Sequence, residues 1–275
     1  MSKLSLQPHH IVNLYVWVDD IVSVIPKPHG GHPLILRDSE VITILIWNAL
    51  ILRQKTIKDL HRSVVHCYHA EFPKLPGYEG FLKQCHRVTP LMLVLLQQLL
   101  ITKAPIRLMD STMLPVCRNH RAKRYQVAKE ITGWGKNWQG YHYGFKLHVS
   151  VDPEGRLCGV ALTPANVYDA HAMPLILNEY AKLAVGDGTY NGGIMRRKIF
   201  EMYGTIVVAP PHPTQKKWLM APWQEALLNA RAKIECVFDE LKEHLNIVSS
   251  FPRSVKGYLM HYIRILLAYQ VATLS

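Results

Sequence analysis

The hydrophobic period of this chain changes once, at Pro105, and that change excludes any fold made of one kind of element. Upstream, apolar residues recur at three- and four-residue steps, the spacing of a helix face. Val16 to Val24 reads as a first helix and Pro26 to Pro33 as a connector. Ser39 caps a helix reaching Gln54, and Thr56 with Asp59 forms a capping box for the next, through Glu71. Thr89-Pro90 places proline in the first turn of an apolar helix, Leu91 to Leu100. The pair 39–54 and 57–71, with its tight link at Lys55-Thr56, fits a plain bundle or, alternatively, a helix-turn-helix.

Downstream the period shortens to two. Ile106 to Asp110 reads as a short strand ending in Asp110-Ser111-Thr112. Phe145, Leu147, Val149 and Val151 alternate with polar residues, Asp152 to Gly155 turns the chain, and Leu157 to Leu162 returns as an antiparallel partner. A helix, 172–181, precedes a buried strand, 183–187, that ends in Asp187-Gly188. Asn191 opens a helix to Met202, Thr205 to Ala209 is a last strand, Pro210 to Pro222 is a loop, and Ser254 starts a final helix.

This order of strand, hairpin, helix, strand, helix, strand, helix predicts an α/β fold, a ribonuclease H-like mixed sheet with flanking helices. The expected organisation is an all-α N-terminal domain over 1–104 followed by the sheet domain over 105–275. In such a sheet the first and fourth strands are neighbours and the helix after the fifth crosses them. Asp110, Asp187 and Glu235, far apart in sequence, would then converge at one sheet end.

The helix carrying Glu235 has its own signature. Ile234, Val237, Phe238, Leu241 and Leu245 form one apolar stripe, and Arg231, Glu235 and Lys242 form a row beside it. On an isolated helix that row is a surface ion pair of ~0.3–0.5 kcal/mol. A shared metal site with the two aspartates is the functional alternative.

Net charge is +12 with a pI near 9.5, an excess suited to a polyanionic partner. Arg118, Arg121, Lys123, Arg124, Lys129, Lys136 and Lys146 stand between Ser111 and Val151 against one acid, Glu130, which marks a phosphate-facing segment. The five cysteines are scattered without a Cys-x-x-Cys pair, so reduced thiols are expected rather than a disulfide framework or zinc. The longest apolar run, Val41 to Leu52, is too short for the ~20 residues of a membrane span. With no signal core at the N-terminus, the expected location is the cytoplasm.

With Asp110-Ser-Thr, Thr163-Pro-Ala-Asn-Val-Tyr-Asp169, Gly186-Asp187-Gly-Thr-Tyr190 and Arg231-x3-Glu235-x6-Lys242, the chain resembles bacterial insertion-sequence transposases of the Asp-Asp-Glu type. It is most similar to the insertion sequence 982 family, related to the insertion sequence 4/5 superfamily, over about Ile106 to Leu274. Leu228 departs from the pattern, standing where relatives carry a Tyr. The resemblance implies Mg²⁺, replaceable by Mn²⁺, held by Asp110, Asp187 and Glu235 for phosphodiester cleavage and strand transfer. It implies Arg231 and Lys242 on DNA phosphates and double-stranded DNA as partner, both the terminal inverted repeats and the target. A homodimer on DNA, no membrane association and a nucleoid location when bound follow from the same resemblance. The alternatives are a ribonuclease H-like nuclease without strand transfer and a catalytically silent DNA-binding protein.

Between the first strand and the hairpin, Arg118 to His142 is expected to form a mobile flap. Trp134, Trp138, Tyr141 and Tyr143 alternate there with Lys136 and Gly133, Gly135 and Gly140, a mixture suited to stacking on bases, with cover for the sheet edge as the competing reading.

Overall fold

The computed structural model describes residues 11–25, 35–137, 140–211, 221–248 and 252–274. The Pro26 to Pro33 connector and Trp138 of the flap lie outside these. The chain divides into two compact units, residues 1–99 with 241–275, and residues 100–240. The last helix, counted by its sequence position with the sheet, therefore clusters with the N-terminal helices.

Within its described residues the first unit is helical: α1 (Ile11–Ser23), α2 (Asp38–Trp47), α3 (Ile57–Cys67), α4 (Tyr78–Leu99) and α9 (Val255–Thr273). Thr56 caps α3 as expected, its hydroxyl accepting the Asp59 amide at 3.1 Å, and Ser254 caps α9 through the Gly257 amide at 3.1 Å. Two expectations fail. The α2 segment does not run as an α-helix to Gln54 but widens into a π-turn at Asn48–Leu52 that closes on Arg53, whose φ of 52° is left-handed. Pro90 does not open a helix; it lies inside the 22-residue α4, where Thr89 Oγ1 donates to the Cys85 carbonyl at 3.0 Å. Burial of Phe81, Cys85, Val88, Met92, Leu95 and Leu96 along one face holds α4 through its missing amide bond. Gln270 Nε2 on α9 donates to the Leu99 carbonyl at 2.7 Å and so satisfies an orphan acceptor at the end of α4.

The second unit carries a six-stranded mixed sheet with flanking helices. Its strands are β1 (Ile106–Pro115), β2 (Gly133–Asn137), β3 (Gly140–Val151), β4 (Leu157–Pro164), β5 (Leu183–Val185) and β6 (Ile206–Val208). The order is β2-β3-β1-β5-β6, with β4 also paired to β3. β1 pairs antiparallel to β3 and parallel to β5, and β5 pairs parallel to β6. The helices are α5 (Asp169–Ile176), α6 (Gly193–Tyr203), α7 (Pro222–Ala230) and α8 (Ala232–Asp239).

β1 continues five residues beyond the expected stop, so Asp110 lies mid-strand, opposite Val149. Backbone pairing with β3 from Leu108 to Pro115 overrides the weak strand preference of Asp110 and Ser111. Alternation then assigns the faces. Ser111 lies opposite His148 and Met113 opposite Lys146, all on the face that Met109 shares with Ala170, Met173 and Ile176 of α5. Asp110 points to the other face, where α8 packs on β1.

The expected flap also contains structure. Gly133–Asn137 pairs with Gly140–Gly144 as a hairpin, Gly140 turning at φ 112°. Gly135 is needed for close approach rather than flexibility, since a Cβ there would meet the Met113 methyl at 2.6 Å and the Ala165 carbonyl at 2.5 Å. The basic residues before it form a short 3₁₀ turn, Asn119–Arg124. Among the described residues, no helix is long and apolar enough to cross a membrane.

Candidate active site

Asp110 is 18% exposed in its side chain and accepts from Arg231 Nη2 at 2.9 Å. Its own Oδ1 receives the Ser111 amide at 2.7 Å. Burial pushes the Asp110 carboxyl up to about 6; Arg231 and the Ser111 amide oppose that rise, and repulsion from Asp187 adds to it. Asp187 follows β5, the parallel neighbour of β1, and opens a one-turn 3₁₀ segment, Gly188–Tyr190. Its Oδ1 accepts both the amide and the hydroxyl of Thr189. The sequence thus located two acids that the sheet brings within electrostatic reach of each other.

Glu235 stands on α8 with its side chain 62% exposed, and Arg231 Nη1 approaches it at 3.6 Å. Arg231, at the break between α7 and α8, therefore touches two of the three predicted acids. Among the described residues, no group of three His, Cys, Asp or Glu side chains is close enough to hold a metal ion. Lys242 is half-buried in the π-turn Glu240–His244, in the chain segment that belongs to the other compact unit. The apolar stripe is realised: Ile234, Val237, Phe238, Leu241 and Leu245 are all buried.

A fourth carboxylate organises the opposite face of the sheet. Asp169, the last residue of the Thr163-to-Asp169 motif, accepts Ser111 Oγ at 2.7 Å, Lys146 Nζ at 3.1 Å and Thr189 Oγ1 at 3.3 Å. Lys146, expected at the surface, is 8% exposed and also donates to the Val167 carbonyl at 2.9 Å. His148 Nδ1 lies 3.6 Å from Asp169, but burial pushes this imidazole down to about 4, and Lys146 pushes the same way against Asp169. The ring is uncharged at neutral pH, so the approach is not an ion pair. Its Nε2 meets Thr163 Oγ1 at 2.9 Å.

Asp169 was quoted in a motif yet given no role. The available signal was its place just before a predicted helix, one strand beyond the strand that carries Lys146. Thr189 links the faces, since its hydroxyl lies within reach of both Asp187 and Asp169 and has one proton to give. Tyr190 is buried nearby; among the described residues its hydroxyl has no hydrogen-bond partner, and burial, together with the charges of Asp169, Asp110 and Asp187, raises it well above the usual range.

Of the remaining predicted contacts, Arg118, Arg121, Lys123 and Arg124 are exposed. Trp134 is 45% exposed, with its ring centroid 5.4 Å from that of Tyr143. A mixed sheet bearing two neighbouring half-buried acids, an arginine between one of them and a third, and a basic edge has a counterpart among known families. Residues 101–255 match the family model for a transposase DDE domain. No curated protein matches the chain.

Proposed function

We propose, from the premise that this chain belongs to the transposase DDE-domain family, that it nicks DNA at the ends of its own insertion sequence and joins them to target DNA. The observation that carries this reading is that Asp110 on β1 feels the charge of Asp187, which follows the parallel neighbour β5, while Arg231 at the start of α8 donates to Asp110. Two neighbouring carboxylates suit hard divalent cations. The Asp110 carboxyl, raised by burial and by repulsion from Asp187, is a group whose charged form a divalent cation would stabilise.

Mg²⁺, or Mn²⁺ in its place, would be held by Asp110 and Asp187 with Glu235 as third ligand. Bound there, it supplies the Lewis acidity for in-line attack on a phosphodiester. Arg231 neutralises Asp110 in the free protein and is the group best placed to pass to a DNA phosphate. Lys242 is proposed for a second phosphate.

On the same reading, the order of elements is that of a ribonuclease H-like fold, and the family is insertion sequence 982. Residues 1–104 read the element's ends, while 105–275 carry the chemistry. Exposed Arg118, Arg121, Lys123 and Arg124 hold the DNA backbone, and Trp134 stacks on a base. Lys146 acts beneath them, through Asp169. The working form is a homodimer on paired ends, in the cytoplasm at the nucleoid.

The test is cleavage of DNA carrying the element's ends, in Mg²⁺, scored for both nicks and joined products. Asp110→Ala and Asp187→Ala should each abolish nicking while leaving DNA binding nearly intact. Nicking by the wild type without joined products would favour a nuclease, and unimpaired nicking by both variants would sink the reading. Glu235→Ala active with Glu240→Ala inactive would move the third ligand.

A further inference from the structure

Within the helical unit lies a second polar site. The left-handed turn at Arg53, the segment around Asn246 and one face of α9 enclose a cleft of about 220 Å³, counted with its open mouth. Asn48, Arg53, Gln54, Lys55, His261 and Arg264 give it a lining with three cations and no acid. Arg264 is 3% exposed, and its Nε and Nη1 have no hydrogen-bond acceptor among the described residues. A buried guanidinium ordinarily meets a carboxylate, because taking a charge out of water is costly unless it is paired.

Among the described residues, the hydrogen-bond partner of Arg264 is His261, which does not supply that charge. Arg264 Nη2 lies 3.2 Å from His261 Nδ1, and His261 Nε2 lies 3.0 Å from the Ile247 carbonyl. Since Nε2 must carry a proton to bond that carbonyl, Nδ1 accepts and the ring is neutral. Burial pushes His261 down to about 3, with Arg264 adding to the effect, which agrees with this assignment. Cys85, the other polar neighbour, is held as a thiol, pushed up to about 12 by burial. Asn48 is engaged on both sides with the Gln54 backbone, at 3.1 and 3.0 Å, and so shapes the turn without filling the cleft.

We propose that this cleft binds a phosphate oxyanion, with Arg264 as the buried anchor and Arg53 and Lys55 as the exposed rim. Nη2 has two protons, one beside Nε and one beside Nη1, and His261 takes only one of them, so one two-donor edge of the guanidinium stays open to match two phosphate oxygens. The phosphate comes from a DNA backbone or from free phosphate; both present the same oxygens. The site does not depend on the transposase reading.

The experiment compares sodium phosphate with sodium chloride at equal ionic strength on the melting temperature of the full chain, then measures affinity for a short duplex of scrambled sequence. Phosphate should raise the melting temperature above chloride, and Arg53→Gln with Lys55→Gln should remove the difference. If DNA is the source, that double variant also binds the duplex about tenfold more weakly, with a salt slope lower by about one to two. If free phosphate is the source, duplex affinity is unchanged while the phosphate shift is lost. Arg264→Met, where it folds, should abolish the shift as well. A wild type that responds alike to both salts and a double variant that binds the duplex normally would overturn the proposal, as would a shift that survives in every variant.

Discussion

Replacing Asp169 by Ala should be among the most damaging changes in the sheet unit, although Asp169 is not one of the proposed metal ligands. Lys146 and Asp169 are 10% and 15% exposed in their side chains, so the ammonium would be left buried with only the Val167 carbonyl. Breaking such a pair by removing one partner costs ~3–5 kcal/mol, and the Ser111 hydroxyl loses an acceptor worth ~1 kcal/mol. Because both groups keep some water, the lower end applies, about 3–4 kcal/mol. Asp169→Asn keeps an acceptor oxygen and should cost about 1.5–3 kcal/mol. Asp169→Leu combined with Lys146→Met removes both charges and should recover at least about 2 kcal/mol of the summed single losses. With two compact units, unfolding of the whole chain is a poor gauge; hydrogen exchange at the β3 amides Lys146 to Val151 reads this sheet directly. A loss under about 1 kcal/mol for Asp169→Ala, or a double variant as unstable as the sum of its parts, would refute the reasoning.

Two further outcomes follow from the packing. His261 has its folded value depressed to about 3, so the unfolded chain binds the extra proton below the ordinary value of 6.5; the stability is present above 6.5 and is lost as pH falls toward 3. Between pH 7.5 and 5.5 that removes about 1.4 kcal/mol, while Asp110, raised to about 6, shifts the opposite way over the same range. Comparing urea midpoints of the wild type and His261→Gln at the two pH values isolates the histidine, and parallel losses in both would contradict its burial as a neutral ring. Gly144→Ala should destabilise by ~1–3 kcal/mol, because a Cβ there would press on the Leu114 carbonyl and the Val116 amide, backbone atoms that cannot rotate away. An unchanged melting temperature would show that the β1–β3 contact is looser than described.

Legibility followed the physics of each signal. Caps and strict alternation are local, so Thr56, Ser254 and the hairpin over 140–164 were readable in place. Asp110 and Asp187 stand out in the sequence because each acid closes an apolar run. The length of β1 was missed because its last five residues are held by cross-strand pairing rather than by their own preference. Pro90 was misread for the same reason, since tertiary burial kept α4 continuous across a residue that normally ends a helix. Asp169 escaped because its partners Ser111, Lys146 and Thr189 come from three separate elements, and no spacing within one element reveals such a meeting. Sequence periodicity put Glu235 beside the apolar stripe and could not say how far Arg231 would engage it.

Asp110 and Ser111 are consecutive in β1, yet one faces Arg231 and the other faces Asp169. The strand thus acts as a partition a single residue thick, with phosphodiester chemistry assigned to one side and its supporting ion pair to the other. Adding or removing one residue between Ile106 and Asp110 would exchange the two, seating a hydroxyl before the arginine and a second carboxylate against Asp169. The turn over Asn119–Arg124, by contrast, carries no such parity. Change in length is therefore admissible on one side of Pro115 and forbidden on the other, and the boundary between the two is a matter of counting rather than of residue type.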